Sequence, residues 1–124
     1  MVLSPTICRP ACYLPNCGAG GGFIILAAAA DITNLGMLRS MGGDGGGGGG
    51  VIYLLGPNVN SVGGTLMVTG GTAGVDRSTG NDAGSGAAMG GRGGDGGVDG
   101  SAPTAGSAGV VIRSQMADPD TLFH

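Results

Sequence analysis

Asp95 and Asp99 have the most specific chemical context in this chain. Gly90-Gly91-Arg92-Gly93-Gly94-Asp95 matches the first six positions of the calcium-binding nonapeptide GGxGxDxUx. Asp95 and Asp99 are therefore the candidate calcium ligands. The match then fails: the eighth position calls for a large apolar residue and holds Gly97, with Val98 one place late. Such sites also draw on adjacent copies, and only one copy is present. A solvated acidic turn is the plainer reading. Cys8, Cys12 and Cys17 follow a C-x3-C-x4-C spacing, but zinc prefers four ligands and the single histidine, His124, lies far away in sequence. An odd count of three cysteines instead favours one disulfide plus a spare thiol, or a partner outside the segment. Gly18-Ala19-Gly20-Gly21-Gly22 loosely fits a dinucleotide-binding loop, yet no apolar strand precedes it and no helix or well-placed acid follows. There is no G-x-S-x-G elbow and no Glu to pair with an Asp. No catalytic set emerges, so a non-enzymatic chain without a bound organic cofactor is expected.

The elements that would position any of these residues come from an internal repeat. Gly21-Gly22-Phe23-Ile24-Ile25-Leu26, Ile32, Leu35, Gly36-Met37-Leu38 and Gly42-Gly43 recur as Gly49-Gly50-Val51-Ile52-Tyr53-Leu54, Val59, Val62, Gly64-Thr65-Leu66 and Gly70-Gly71. The offset is 28 residues, and only the middle pair slips, by one. A period of this size marks a stacked repeat whose copies bury their apolar faces against each other. Phe23–Leu26, Val51–Leu55, Thr65–Thr69 and Val110–Ile112 are short, rich in β-branched or aromatic residues and bounded mostly by glycine, so strand is expected. Ile24 should lie over Ile52 and Leu26 over Leu54. Ala27–Ala30 has helical propensity and is the weak point of an all-strand reading.

Composition limits what such a stack can be. Of 124 residues 31 are Gly, and there are only two Tyr, two Phe and no Trp, so a conventional core is not expected. With 41% hydrophobic and 10% charged residues the chain also lacks the composition of typical disorder. The five cations are all Arg and the eight anions all Asp, giving a net charge of −3. Scattered cations in an acidic chain argue against a nucleic-acid partner. Phe23–Ala30 superficially looks like a signal-peptide core, but the same glycine-then-apolar pattern recurs at Val51, which favours a structural strand over a targeting segment. An exported protein would then carry its signal upstream, with this chain a fragment. No segment reaches the length of a membrane span.

The chain divides into a Pro- and Cys-containing lead (1–18), a glycine-rich repeat domain (19–114) and a tail (115–124). Within the domain lie repeats 19–44 and 45–71, a low-complexity loop over 72–109 and a partial third repeat over 110–114. Gly45–Gly50 reads first as a flexible loop. The sharper alternative is an extended three-residue-per-turn glycine helix packed backbone to backbone, and the Gly-Gly-X beat over 90–97 is short for that.

Val51–Leu54, Pro57, Val59, Gly64, Leu66, Val68 and Val110–Arg113 together form a cadence. It resembles the glycine-rich repeats of large surface or secreted proteins of bacteria such as the myxobacteria, over about residues 19–114. The resemblance implies a surface β-solenoid of unknown function; the lead and the last ten residues depart from it.

The expected fold is all-β: a parallel β-solenoid-like stack of about two and a half repeats with loosely packed glycine-rich loops. A polyglycine-helix sandwich or a largely disordered chain are the alternatives. The expected role is a non-enzymatic extracellular or cell-surface structural or adhesive segment. A glycine-rich binding module, phage-adhesin-like or ice-binding-like, is the second reading, and a fragment without independent function the third. A surface partner, or self-association through solenoid edges, would follow from open stack ends.

Overall fold

The computed structural model describes residues 2–3, 18–60, 63–74, 89–94 and 102–122. Within them the protein is all-β, with short strands in small sheets and one 3₁₀ turn, Pro119–Leu122. The strands are β1 (Val2–Leu3), β2 (Phe23–Ala27), β3 (Ile32–Thr33), β4 (Met37–Arg39), β5 (Val51–Gly56), β6 (Val59–Asn60), β7 (Thr65–Met67) and β8 (Val110–Gln115). They form a four-stranded sheet in the order β1-β2-β5-β8 and two pairs, β3-β6 and β4-β7. Every pairing is parallel except that of β1, which runs antiparallel to β2 with Val2 opposite Ile24.

Sequence offset and strand register coincide. Phe23 pairs with Val51, Ile24 with Ile52 and Leu26 with Leu54, and in the β4-β7 pair Met37 lies opposite Thr65. The pair that slips by one residue in sequence, Ile32 with Val59, slips identically in register. Val51 also pairs with Val110, so β8 adds a third layer to the principal sheet after a long intervening tract. Between strands the chains stay bonded, layer to layer. Ala28 N–H donates to Leu55 O (3.0 Å), Ile32 N–H to Asn58 O (2.8 Å) and Ser40 N–H to Met67 O (2.8 Å).

The parallel register stacks like side chains on like. One face of the principal sheet carries Ile24, Ile52 and Val111 in a row, with Leu26 and Leu54 in the next row beside Arg113. β5 has a long neighbour on each side, whereas β2 has only the two-residue β1 on its outer side and β8 ends the sheet. Ile52 and Leu54 are accordingly 0% exposed while Ile24, Leu26 and Val111 are half-buried. Leu55, on the opposite face, is 3% exposed. The apolar core is correspondingly small.

Glycine backbone supplies the rest of the interior. Gly45–Gly50, expected to be a flexible loop, is buried along its whole length, and this corrects the expectation of loosely packed glycine loops. Its peptide groups bond outward to several other segments. Gly21 N–H donates to Gly48 O (2.8 Å), Gly50 N–H to Ser40 O (2.8 Å) and Gly71 N–H to Gly47 O (2.7 Å). Gly91 N–H donates to Gly49 O (2.7 Å), Gly94 N–H to Gly46 O (2.6 Å), and Gly49 N–H to Ser107 O (2.9 Å). Segments 18–22, 40–43, 70–72, 90–94 and 104–109 therefore gather around this tract. Such spacing is open only to a chain without side chains. A methyl group on Gly47 would overlap the Ala19 carbonyl oxygen, and one on Gly49 the Val68 carbonyl oxygen. The reason the loop reading fails is that peptide groups bonded to neighbouring chains replace the missing side-chain packing.

Other departures are local. Ala27–Ala30 forms no helix: Ala27 ends β2, Ala28 bonds across to Leu55 and the chain bends at 29–30. Here interlayer bonding overrides alanine's helix propensity. β7 stops at Met67 rather than Thr69, although Thr69 O still accepts from Gly42 N–H (2.9 Å) of the adjoining layer, while Val68 O accepts from Gly109 N–H (2.6 Å) on the other side. β8 runs to Gln115, past Ile112, because Leu54, Leu55 and Gly56 of β5 offer it partners. In the tail, Pro119 is fully buried and Thr121 Oγ1 donates to Asp118 O (2.9 Å).

Two substitutions test this account at sites of opposite character. Ser40 is 4% exposed, and its hydroxyl donates to Gly22 O at 2.5 Å. Ser40→Ala removes that bond while Gly22 O keeps Val51 N–H as a donor (3.0 Å), so a loss of about 0.5–1.5 kcal/mol is expected in urea unfolding. Gly63 has φ 88°, but a methyl there meets only Leu35 Cδ2 at 3.8 Å. Gly63→Ala should lower stability by only about 1–2 kcal/mol, the cost of a non-glycine residue in the left-handed region, and leave the circular dichroism spectrum unchanged.

Candidate functional site

The turns that follow the main strands all fall on one edge of the stack. After β2 the chain bends and reaches Asp31 just before β3; after β5 it turns through Pro57 to Asn58 just before β6; β8 ends at Gln115. The polar-apolar-polar triplet Asp31-Ile32-Thr33 in one layer is met by Asn58-Val59-Asn60 in the next, with Thr33 opposite Asn60. Alternation in a strand sends the outer members of each triplet to the same side. Asp31, Thr33, Asn58 and Asn60 are exposed, while Ile32 and Val59 are half-buried.

Asn58 Nδ2 donates to Asp31 Oδ1 at 2.9 Å, tying the two layers together across this edge. The same device recurs elsewhere in the stack, where Thr72 Oγ1 donates to Asp44 Oδ1 at 2.9 Å. In both, a carboxylate in one layer receives a neutral donor from the equivalent position of the next. Stacking carboxylate on carboxylate would instead place like charges one strand spacing apart.

Asp31, Thr33, Asn58, Val59, Asn60 and Gln115 line a groove of about 430 Å³. Beside it is a cleft of about 620 Å³, whose walls include Ile25, Ala27, Ala28 and Ile32. Asp31 and Thr33 line both, so the two form one trough with an apolar side and a polar side. The polar side offers amide N–H and C=O groups, a hydroxyl and a single carboxylate. Among the described residues no histidine, cysteine or lysine lines it, and the one hydroxyl they place there, on Thr33, has no imidazole beside it. What these groups offer is recognition by hydrogen bonding.

The residues singled out from sequence for chemistry are elsewhere. Asp95 and Asp99, Cys8, Cys12 and Cys17, and His124 all lie outside the described residues. The first part of the nonapeptide, 90–94, is described, and Gly91 and Gly94 spend their N–H groups on the central glycine tract. Gly18 and Gly21, from the loosely dinucleotide-like run, likewise bond to Gly45 O and Gly48 O. Among the described residues no group of three or more His, Cys, Asp or Glu side chains could hold a metal ion, and no helix is long and apolar enough to cross a membrane. The trough was not singled out from sequence. Its signal was present in the aligned triplets Asp31-Ile32-Thr33 and Asn58-Val59-Asn60, polar at the same two places in successive copies.

No protein-family model, curated protein or solved structure matches the chain.

Proposed function

We propose that this chain is a structural and adhesive segment of an extracellular or cell-surface protein, without enzymatic activity, built as a short parallel β-solenoid. The observation that carries the reading is the parallel layering at the repeat offset around a buried glycine tract. Such a stack is held by interlayer backbone bonds in nearly every segment and needs few large side chains. Its outward positions are then free to vary while the frame stays fixed, which suits display. The resemblance of 19–114 to glycine-rich repeats of bacterial surface proteins supports the same reading, and an acidic chain with scattered arginines is ill suited to nucleic acid.

Protease treatment of intact cells of the source organism tests it. Peptides of this chain should be released into the medium before lysis. Release only after lysis would overturn the reading.

A second reading, a glycine-rich binding module of the phage-adhesin or ice-binding kind, is favoured by one observation. The glycines of 45–50 and those facing them at 91 and 94 are buried and bonded rather than loose. For the ice-binding form, a purified sample should show a gap between melting and freezing points; coincident points would exclude that form.

A further inference from the structure

The trough joins an apolar surface to a polar one. One side presents Ile25, Ala27 and Ile32; the other presents Asn58, Asn60 and Gln115, with Asp31 and Thr33 shared between them. Ile25 is 37% exposed, so part of its apolar surface remains open to a ligand. Three successive layers contribute, since Thr33, Asn60 and Gln115 come from strands of three different layers. The polar groups are therefore spaced along the stack at roughly one strand separation, about 4.8 Å.

From this arrangement we propose that the trough binds a neutral oligosaccharide, a partner class that rests on the adhesive reading above. Sugar hydroxyls are each donor and acceptor, and a carboxamide answers a vicinal pair with one N–H and one C=O. Pyranose rings also present a C–H face, which the aliphatic side of the trough would cover while the polar side fixes orientation. Charge selects within the class. Among the described residues Asp31 is the only ionised group lining the trough, so a polyanionic glycan meets repulsion with no compensating cation among them. A strongly cationic ligand would find only that one carboxylate, already accepting from Asn58.

The test is a nuclear magnetic resonance titration of the full chain with cellohexaose, maltohexaose and chitohexaose, and with hexagalacturonate as the charged comparison. At least one neutral hexasaccharide should shift the side-chain amide resonances of Asn58, Asn60 and Gln115 and the methyl resonances of Ile25 and Ile32. Gln115→Ala and Asn60→Ala, both at exposed positions, should each weaken that binding tenfold or more, with the wild-type shift map serving as the check if either variant unfolds. The proposal is overturned if no neutral hexasaccharide shifts these resonances up to about 10 mM, where even a weak single site registers. It is equally overturned if the shifts lie elsewhere or hexagalacturonate binds more tightly. A chain that sits on the cell surface yet binds none of the sugars loses this inference and keeps its surface reading. Sugar binding by a chain confined inside cells does the reverse.

Discussion

Gly49→Ala is expected to destabilise the fold far more than Gly63→Ala. The added methyl would occupy the position of the Val68 carbonyl oxygen and would also crowd the Gly109 amide nitrogen. Neither neighbour is the end of a flexible side chain. Both are backbone, and Val68 O is already the acceptor for Gly109 N–H at 2.6 Å. Relief would require two chains to move apart, breaking interlayer bonds on each side of the tract, including Gly49 N–H to Ser107 O and Gly91 N–H to Gly49 O. The expected loss exceeds about 4 kcal/mol, a magnitude reserved for changes that leave no room for relaxation. In a domain whose whole stability is on the order of 5–15 kcal/mol, that is about a quarter of the total or more, and the melting temperature should fall by more than about 10 °C. Circular dichroism and thermal melting of this variant beside Gly63→Ala make the comparison. A Gly49→Ala protein melting within a few degrees of the parent would show that the tract is not packed as described.

Leu54→Ala should cost about 2–5 kcal/mol, the range for truncating a buried aliphatic side chain. The position matters because Ile52, Leu54 and Leu55 are the buried hydrophobic residues of the described structure, and Leu54 is 0% exposed. Its row continues to half-buried Leu26 on one side and exposed Arg113 on the other, so no large apolar neighbour from β8 can collapse into the space. Urea unfolding should give a lower midpoint with an unchanged slope, while the equivalent change at half-buried Leu26 should cost less. Equal effects at the two positions would mean that the middle layer is not preferentially enclosed.

Much of the frame was legible in the chain because parallel stacking leaves a direct trace: residues that pair between layers occupy equivalent positions in successive copies. Ile24 over Ile52 and Leu26 over Leu54 could be written down from the offset, and even the slip at Ile32 and Val59 carried through to the register. β1 left no such trace, since Val2–Leu3 pairs antiparallel to β2 and belongs to no repeat. The glycine tract misled for a different reason. A run such as Gly45–Gly50 has no side-chain pattern, and what orders it is the arrival of carbonyl and amide groups from segments as distant as Gly91, Gly94 and Ser107. Composition alone does not distinguish a glycine run with bonding partners from one without. The trough carries no sequence motif, because amides, a threonine and one carboxylate are neither nucleophiles nor a metal-ligand set. Asp31, Thr33, Asn58 and Asn60 acquire chemical meaning only when successive layers bring them to one edge.

Amide hydrogen exchange across the glycine tract tests most directly whether buried glycine backbone forms the centre of this stack. Gly47 N–H, Gly49 N–H and Gly50 N–H donate to Gly43 O, Ser107 O and Ser40 O, and all three residues are buried. They should exchange as slowly as Ile52 and Leu54, through opening of the whole fold, while exposed Gly63 exchanges quickly. Exchange of the Gly45–Gly50 amides at the rate of an unstructured chain, with Ile52 and Leu54 still protected, would contradict the account.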